Sequence, residues 1–264
     1  MYMKFIALAF AAVLATAPAL HAQIIYADTF DGTNNAALGT TSTGGYSWKS
    51  SATSSYIFYY DNAARMAYSQ ASAPSLAAYV NYSLDDIRDY DISVDLRIPS
   101  TASLAPFAIL APRTEATAAT DLASLTGAYF FRRSGSDNKI TITWWDGSNE
   151  TTVATSILTV GSGGTGSDNF FTVNIQVRGD AITFVSYGNE TLNDTRSLSS
   201  SLYNNGTADY LLFGNAPGGT GTASMNFRFD NLTVTQIPEP GTAALFFGAL
   251  GLLASLAICK SRQG

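Results

Sequence analysis

Apolar and polar residues alternate at period two along much of this chain, and that pattern constrains its fold more than anything else. In residues 90–98, Tyr90, Ile92, Val94, Leu96 and Ile98 alternate with Asp91, Ser93, Asp95 and Arg97. Phe171, Val173, Ile175 and Val177 repeat the pattern against Thr172, Asn174, Gln176 and Arg178. Successive side chains of a strand point to opposite faces, so each segment has one dry and one wet face, as strands of antiparallel sheets do. No long stretch of the middle shows apolar spacing at 3.6 residues, and no helical crossover lies between the strands. A parallel α/β architecture is thereby excluded.

Turn chemistry agrees. Gly179-Asp180 separates two alternating runs, Asp146-Gly147 follows another, and Gly188-Asn189 follows Tyr187. These residues reach positive φ at little cost and suit hairpins. Further strands are expected at 24–30, 56–60, 64–69, 77–82, 107–110, 127–133, 139–145, 181–187, 209–214 and 224–236. In the last of these Met225, Phe227 and Phe229 hold odd positions while Leu232 and Val234 hold even ones. A β-bulge at Asp230-Asn231 would flip the phase in this way. About a dozen strands fit two packed antiparallel sheets of jelly-roll type, an all-β sandwich. A β-helix would need a short internal repeat, and none is present.

Composition removes several functions. Net charge is -6 and only 13% of residues are charged, so nucleic acid is not an expected partner. A single Cys excludes a disulfide framework and a Cys-based zinc site. The only His is His21, inside the N-terminal segment described next.

Residues 1–22 read as a secretory signal peptide: one cation at Lys4, an apolar run, then small residues around Pro18. Cleavage is expected after Ala22, with a cut after Ala19 as the alternative. An uncleaved anchor helix is disfavoured because the apolar run is short of about 20 residues. Cleavage would remove His21, and with it any Ser-His-Asp triad or His-ligated metal. At the other end, residues 243–259 are apolar and uncharged, and Lys260 and Arg262 follow as a basic stop. A helix of that length spans roughly 26 Å, enough for a thin hydrocarbon core. The basic stop would leave the extreme C-terminus in the cytoplasm and the bulk of the chain outside.

Pro238-Glu239-Pro240, followed by this single apolar segment and a basic end, resembles the PEP-CTERM sorting signal of Gram-negative bacteria. The resemblance covers residues 238–264. It implies export with signal peptidase processing, transient insertion in the inner membrane, and recognition by an exosortase-type enzyme near the motif. It also implies an association with exopolysaccharide at the cell surface or in the matrix. The alternative is a plain single-pass anchor that is never processed. On this reading the chain divides into 1–22, a sandwich domain over 23–237, and the sorting tail.

The middle is similar to concanavalin A-like (laminin G-like) bacterial sandwiches. The carriers of that resemblance are Asp28-Thr29-Phe30-Asp31 near the start and the segment Phe229-Asp230-Asn231-Leu232-Thr233-Val234 near the end. The resemblance implies that the first and last strands pair. That would bring Asp28, Asp31 and Asp230 together, and clustered carboxylates without His suit a structural calcium ion. The competing reading is that all three are solvated turn and edge carboxylates.

Sugar binding needs a flat ring for a pyranose face and polar groups for its hydroxyls. Ile140, Ile142 and Trp144 share one face of 139–145, which would leave Trp145 pointing outward with Thr141 and Thr143. Tyr59, in an aromatic cluster with Tyr56 and Tyr60, and Trp48, in a Gly/Ser-rich segment, are the other stacking candidates. The competing and favoured reading is that these rings cover the second sheet or fill the core. Glycosidase chemistry requires two carboxyls about 5–10 Å apart. Glu115, Glu150 and Glu190 are the only Glu residues between the tags, and none lies in a recognisable catalytic pattern. Arg178-Gly179-Asp180 spells an adhesion tripeptide but is better explained as a turn. The expected role is therefore structural or adhesive, with exopolysaccharide as partner and no catalysis. A carbohydrate-active enzyme on the same scaffold is the alternative.

Overall fold

The computed structural model describes residues 22–33, 36, 38–39, 43–50, 58–61, 66–69, 76–81, 89–97, 107–115, 127–133, 140–156, 170–198, 209–216 and 228–237. Apart from Ala22, both expected transit tags lie outside these residues, including Pro238, Glu239, Pro240, the apolar run 243–259, Lys260 and Arg262. Among the described residues no helix is long and apolar enough to cross a membrane. Residues Ile24–Gln236 form one compact unit.

That unit is built from strands. In chain order they are β1 (Gln23–Asp28), β2 (Trp48–Ser50), β3 (Phe58–Asp61), β4 (Met66–Ser69), β5 (Leu76–Asn81), β6 (Asp89–Arg97), β7 (Phe107–Glu115) and β8 (Ala128–Arg133). There follow β9 (Ile140–Trp145), β10 (Glu150–Ser156), β11 (Phe171–Arg178), β12 (Ala181–Tyr187), β13 (Glu190–Ser197), β14 (Asp209–Ala216) and β15 (Arg228–Gln236). They form two sheets. One has eight strands in the order β13-β12-β11-β6-β15-β4-β3, with β1 also paired to β15. The other has seven, in the order β10-β9-β8-β7-β14-β5-β2. The fold is thus an all-β antiparallel two-sheet jelly-roll sandwich, as the alternation predicts. The first strand does pair with the last.

The alternation sets which side chains meet. Tyr90, Ile92, Val94 and Leu96 of β6 are buried, as are Val173, Ile175 and Val177 of β11 and Phe229, Leu232 and Val234 of β15. They belong to one core cluster with Ala108, Leu110, Tyr129, Phe131, Ile142, Trp144, Leu211 and Phe213 of the opposing sheet. Aromatic pairs span the gap: Phe213 lies 4.7 Å from Phe229, and Tyr129 lies 4.9 Å from Phe184, between ring centroids. Such pairs add about 0.5–1.5 kcal/mol to the burial of their surface. The Tyr90 hydroxyl also crosses the core and donates to the Pro112 carbonyl at 3.0 Å.

The turns are where the small residues fall. Gly179 (φ 59) and Gly188 (φ 53) make the turns on either side of β12. At the β9–β10 turn Asp146 accepts from the backbone N–H groups of Asn149 (2.7 Å) and Ser148 (2.8 Å), which hold its carboxyl below the usual carboxylate range. The phase flip in β15 is a bulge: register shifts between Asp230 and Thr233, and Asn231 takes φ 49. Arg178 of the tripeptide is engaged within the sheet, pairing with Asp91 at 2.5 Å and donating to the Tyr90 carbonyl at 2.9 Å. Its turn role is structural.

Four features depart from expectation. β2, β10 and β13 were not foreseen, and all three are edge strands of their sheets. An edge strand needs no buried stripe, and the exposure pattern of β13 shows none. β7 runs on to Glu115, past Pro112, because the ladder to β14 shifts register between Tyr210 and Leu212 and tolerates a residue without an N–H.

Candidate functional site

The pairing of β1 with β15 gathers the acidic residues around one corner, but their roles differ. Asp28 is buried, and both its oxygens are taken: Oδ1 accepts from the Phe30 N–H at 2.7 Å and Oδ2 from the Trp48 indole N–H at 2.6 Å. Burial pushes its carboxyl up, against the pull of these two bonds. Asp31 is exposed and accepts from the Thr29 hydroxyl at 2.9 Å. Asp230 accepts from the Asn231 N–H at 2.8 Å. It is close enough to Asp95, Asp31 and Asp28 to feel their charge. Asp28 therefore serves as an internal anchor for Trp48, with each of its oxygens already accepting one hydrogen bond. Among the described residues no group of three or more His, Cys, Asp or Glu side chains is placed to hold a metal ion.

Trp48 corrects an expectation. It lies in β2, only 8% exposed, with Phe30 and Phe213 at 5.5 and 5.9 Å from its ring. Its indole N–H is spent on Asp28. A ring packed in this way cannot stack on a sugar, so Trp48 belongs to the core. Tyr59 lies on β3, opposite Tyr68 in the ladder, and its side chain is outside the described residues.

Trp145 points away from the core, as the alternation of 139–145 predicts, while Trp144 packs inward at 4.8 Å from Tyr129. On the outer face of the seven-stranded sheet Trp145 stacks on Phe130, with centroids 6.1 Å apart and planes 19° from parallel. The Arg132 guanidinium lies 5.7 Å from the Phe130 ring centre. Arg132 also pairs with Glu150, whose Oε1 accepts from the Thr143 hydroxyl at 2.5 Å. β8, β9 and β10 are successive neighbours in the sheet, so five residues from three strands form one cluster. Phe130 and Thr143 are buried and Trp145 is half-buried, while the Arg132 and Glu150 side chains remain 34% and 28% exposed.

Glu150, expected as an isolated turn residue, is thus the hinge of a polar network. Phe130 and Arg132 were not singled out by sequence reasoning, whereas Thr143 was placed beside Trp145 on the outward face. The signal was available: alternation through 127–133 puts Phe130 and Arg132 on one face, and a hairpin between 127–133 and 139–145 would set that face beside Trp145. Chemically the cluster offers a ring edge, a fixed guanidinium and a carboxylate whose orientation is set by two partners. That combination suits the C–H faces and hydroxyls of a polyol better than proton transfer, because the one carboxylate in it is already ion-paired.

The architecture is a two-layered antiparallel jelly-roll sandwich. No family model matches the chain, and no curated protein matches it. Among solved structures, the exoplasmic/lumenal domain of VIP36 in its Ca2+/Man-bound form superimposes with a TM-score of 0.50 at 13% identity, over 83% of this chain and 93% of that one. The CBM2 module of the Lactobacillus casei BL23 phage J-1 evolved Dit gives 0.49 at 14% identity, over 82% and 96%. A Bacillus subtilis protein with a galectin-like fold gives 0.46 at 7% identity, over 81% and 96%. At these identities the likeness is one of fold.

Proposed function

We propose that this protein is an exported, non-catalytic glycan-binding module of the cell surface or extracellular matrix, sorted through its C-terminal Pro238-Glu239-Pro240 signal. The observation that carries the binding reading is the Trp145–Phe130 stack flanked by the Arg132–Glu150–Thr143 network on the outer face of the seven-stranded sheet. Trp145 would offer its ring to a pyranose face, and the exposed parts of Arg132 and Glu150 would take the hydroxyls. The mannose-bound form of VIP36, whose fold is similar, supports this reading at the level of architecture alone.

The test is titration of the full chain with exopolysaccharide fragments, wild type against Trp145→Ala. Loss of about tenfold or more in affinity without release of soluble product is expected, since truncating an aromatic anchor at a binding hot spot costs about 2 kcal/mol or more. Affinity unchanged by the substitution would sink the site. Soluble sugar products would instead favour the carbohydrate-active enzyme. The sorting reading is tested by intact mass of the protein recovered from its host. Loss of residues 1–22 and of the apolar tail is expected, and retention of 243–264 would leave a plain membrane anchor.

A further inference from the structure

The outer face of the eight-stranded sheet carries a groove of about 270 Å³ that the aromatic site does not use. Asp91 and Ser93 of β6, Asn174 and Gln176 of β11, and Thr233 and Thr235 of β15 line it. The ladder sets them in two rows. Thr233, Ser93, Asn174 and Ser186 face one another across four strands, and Thr235, Asp91, Gln176 and Thr183 do the same. Strands lie about 4.8 Å apart, so each row presents polar groups at that spacing.

Two bulges flank the groove. One is in β15, where Asn231 and Leu232 occupy the place opposite Val94. The other is in β12, where Val185 is the extra residue between Phe184 and Ser186 and turns toward the groove. Bulges bend a strand and increase its twist, and they re-aim side chains next to binding sites. Here one bulge lies on either side of the β6–β11 pair that floors the groove.

Most of the groove's polar groups are uncommitted. Among the described residues Ser93, Gln176, Thr233 and Thr235 have no side-chain hydrogen-bond partner, whereas Asn174 donates to Ser186 at 3.0 Å and Asp91 is paired with Arg178. The one charge in the lining is therefore balanced, and what is left over is hydroxyl and amide, with Val185 as an apolar wall. That chemistry recognises a neutral, hydroxyl-rich ligand. The volume is below the roughly 300–1,000 Å³ of pockets that enclose a small molecule, so the groove fits one stretch of a longer chain.

We propose that this groove is a second glycan-binding surface, taking a neutral polysaccharide on the sheet opposite to Trp145, so that one sandwich bridges two chains. The ligand class rests on the glycan-binding reading; the groove itself does not.

The experiment is calorimetric titration of the full chain in detergent micelles with mannohexaose, cellohexaose and, as a charged control, polygalacturonate. The variants are Trp145→Ala and the double variant Gln176→Ala/Thr233→Ala, both checked for an unchanged melting temperature. Wild type is expected to bind a neutral probe at two sites per chain. The double variant should weaken one site by about five- to tenfold and leave the other, since each uncharged hydrogen bond contributes about 0.5–1.5 kcal/mol. Trp145→Ala should do the reverse. A single site abolished by Trp145→Ala and untouched by the double variant overturns the groove and keeps the aromatic site. Preference for polygalacturonate in the groove overturns its neutral specificity, and failure of every probe to bind wild type overturns both sites.

Discussion

Asp230 of β15 stands directly across the ladder from Asp95 of β6, so two carboxylates face each other where the first and last strands close the sheet. Like charges placed opposite one another destabilise a ladder. The corner is relieved by donors: Asp95 accepts from the Thr172 hydroxyl at 2.6 Å and the Asn231 side-chain amide at 2.9 Å. Asp230 is left with the weaker share. Burial first, then the charges of Asp95, Asp31 and Asp28, push it up to about 6.

Stability should therefore rise on mild acidification. A carboxyl whose folded value of about 6 exceeds its ordinary 3.8 stabilises the fold fully below the lower value, and that contribution is lost as pH rises through the higher one. Asp28, raised by burial, acts in the same direction. The melting temperature of the full chain should increase between pH 7.5 and pH 5. Asp230→Asn should raise it at pH 7.5 and flatten the profile. A wild-type melting temperature that falls over this interval would contradict the assignment.

Asp28→Ala would leave the Trp48 indole N–H and the Phe30 N–H without their acceptor inside the core. Each buried unsatisfied donor costs about 1–3 kcal/mol, so a loss of about 3 kcal/mol in denaturant unfolding is expected. Asp28→Asn keeps one acceptor oxygen and should cost less. Near-equal stability of Asp28→Ala and wild type would show the anchor to be dispensable.

Phe213→Ala removes a ring that touches both Trp48 and Phe229, and so opens the packing between the two sheets. Truncation of a buried Phe costs about 3–5 kcal/mol. Equilibrium unfolding should reach that range, with the slope against denaturant preserved.

Gly127 takes φ +76 just before β8, and a Cβ there would run into Leu198 and approach Trp144. Gly127→Ala combines left-handed strain with overpacking, so about 2 kcal/mol or more should be lost. Thermal unfolding of the single variant measures it, and an unchanged midpoint would mean the neighbours give way freely.

Arg132→Ala separates binding from folding. Its pair with Glu150 is partly exposed, and such pairs contribute about 0–1 kcal/mol to stability. The melting temperature should move little while affinity for exopolysaccharide fragments falls several-fold. A large stability loss with unchanged affinity would mark the network as structural.

The strands that were legible beforehand are those buried on one face. Tyr90 to Leu96 and Phe171 to Val177 announce their register because every second residue must leave water. The bulge at Asn231 was readable for the same reason, as a break in that rhythm. β10 and β13 were not, because a sheet's edge is held by ladder hydrogen bonds that any backbone can make. Trp145 was correctly placed outward by its neighbours' parity. The partner that fixes Trp48 in the core was not legible, because a Gly- and Ser-rich neighbourhood carries no sign of an acceptor 20 residues away.

What the amino-acid order settled alone is the all-strand character, the dry face of each central strand and the places where the chain turns, since all three follow from contacts between near neighbours. The partnership of Asp28 with Trp48, the confrontation of Asp95 with Asp230, and the assembly of Phe130, Arg132, Thr143, Trp145 and Glu150 were decided only when strands took their places in the sheets. The period of a strand says which face a residue occupies. It does not say which strand will lie beside it, and a site made across three strands depends on that second fact.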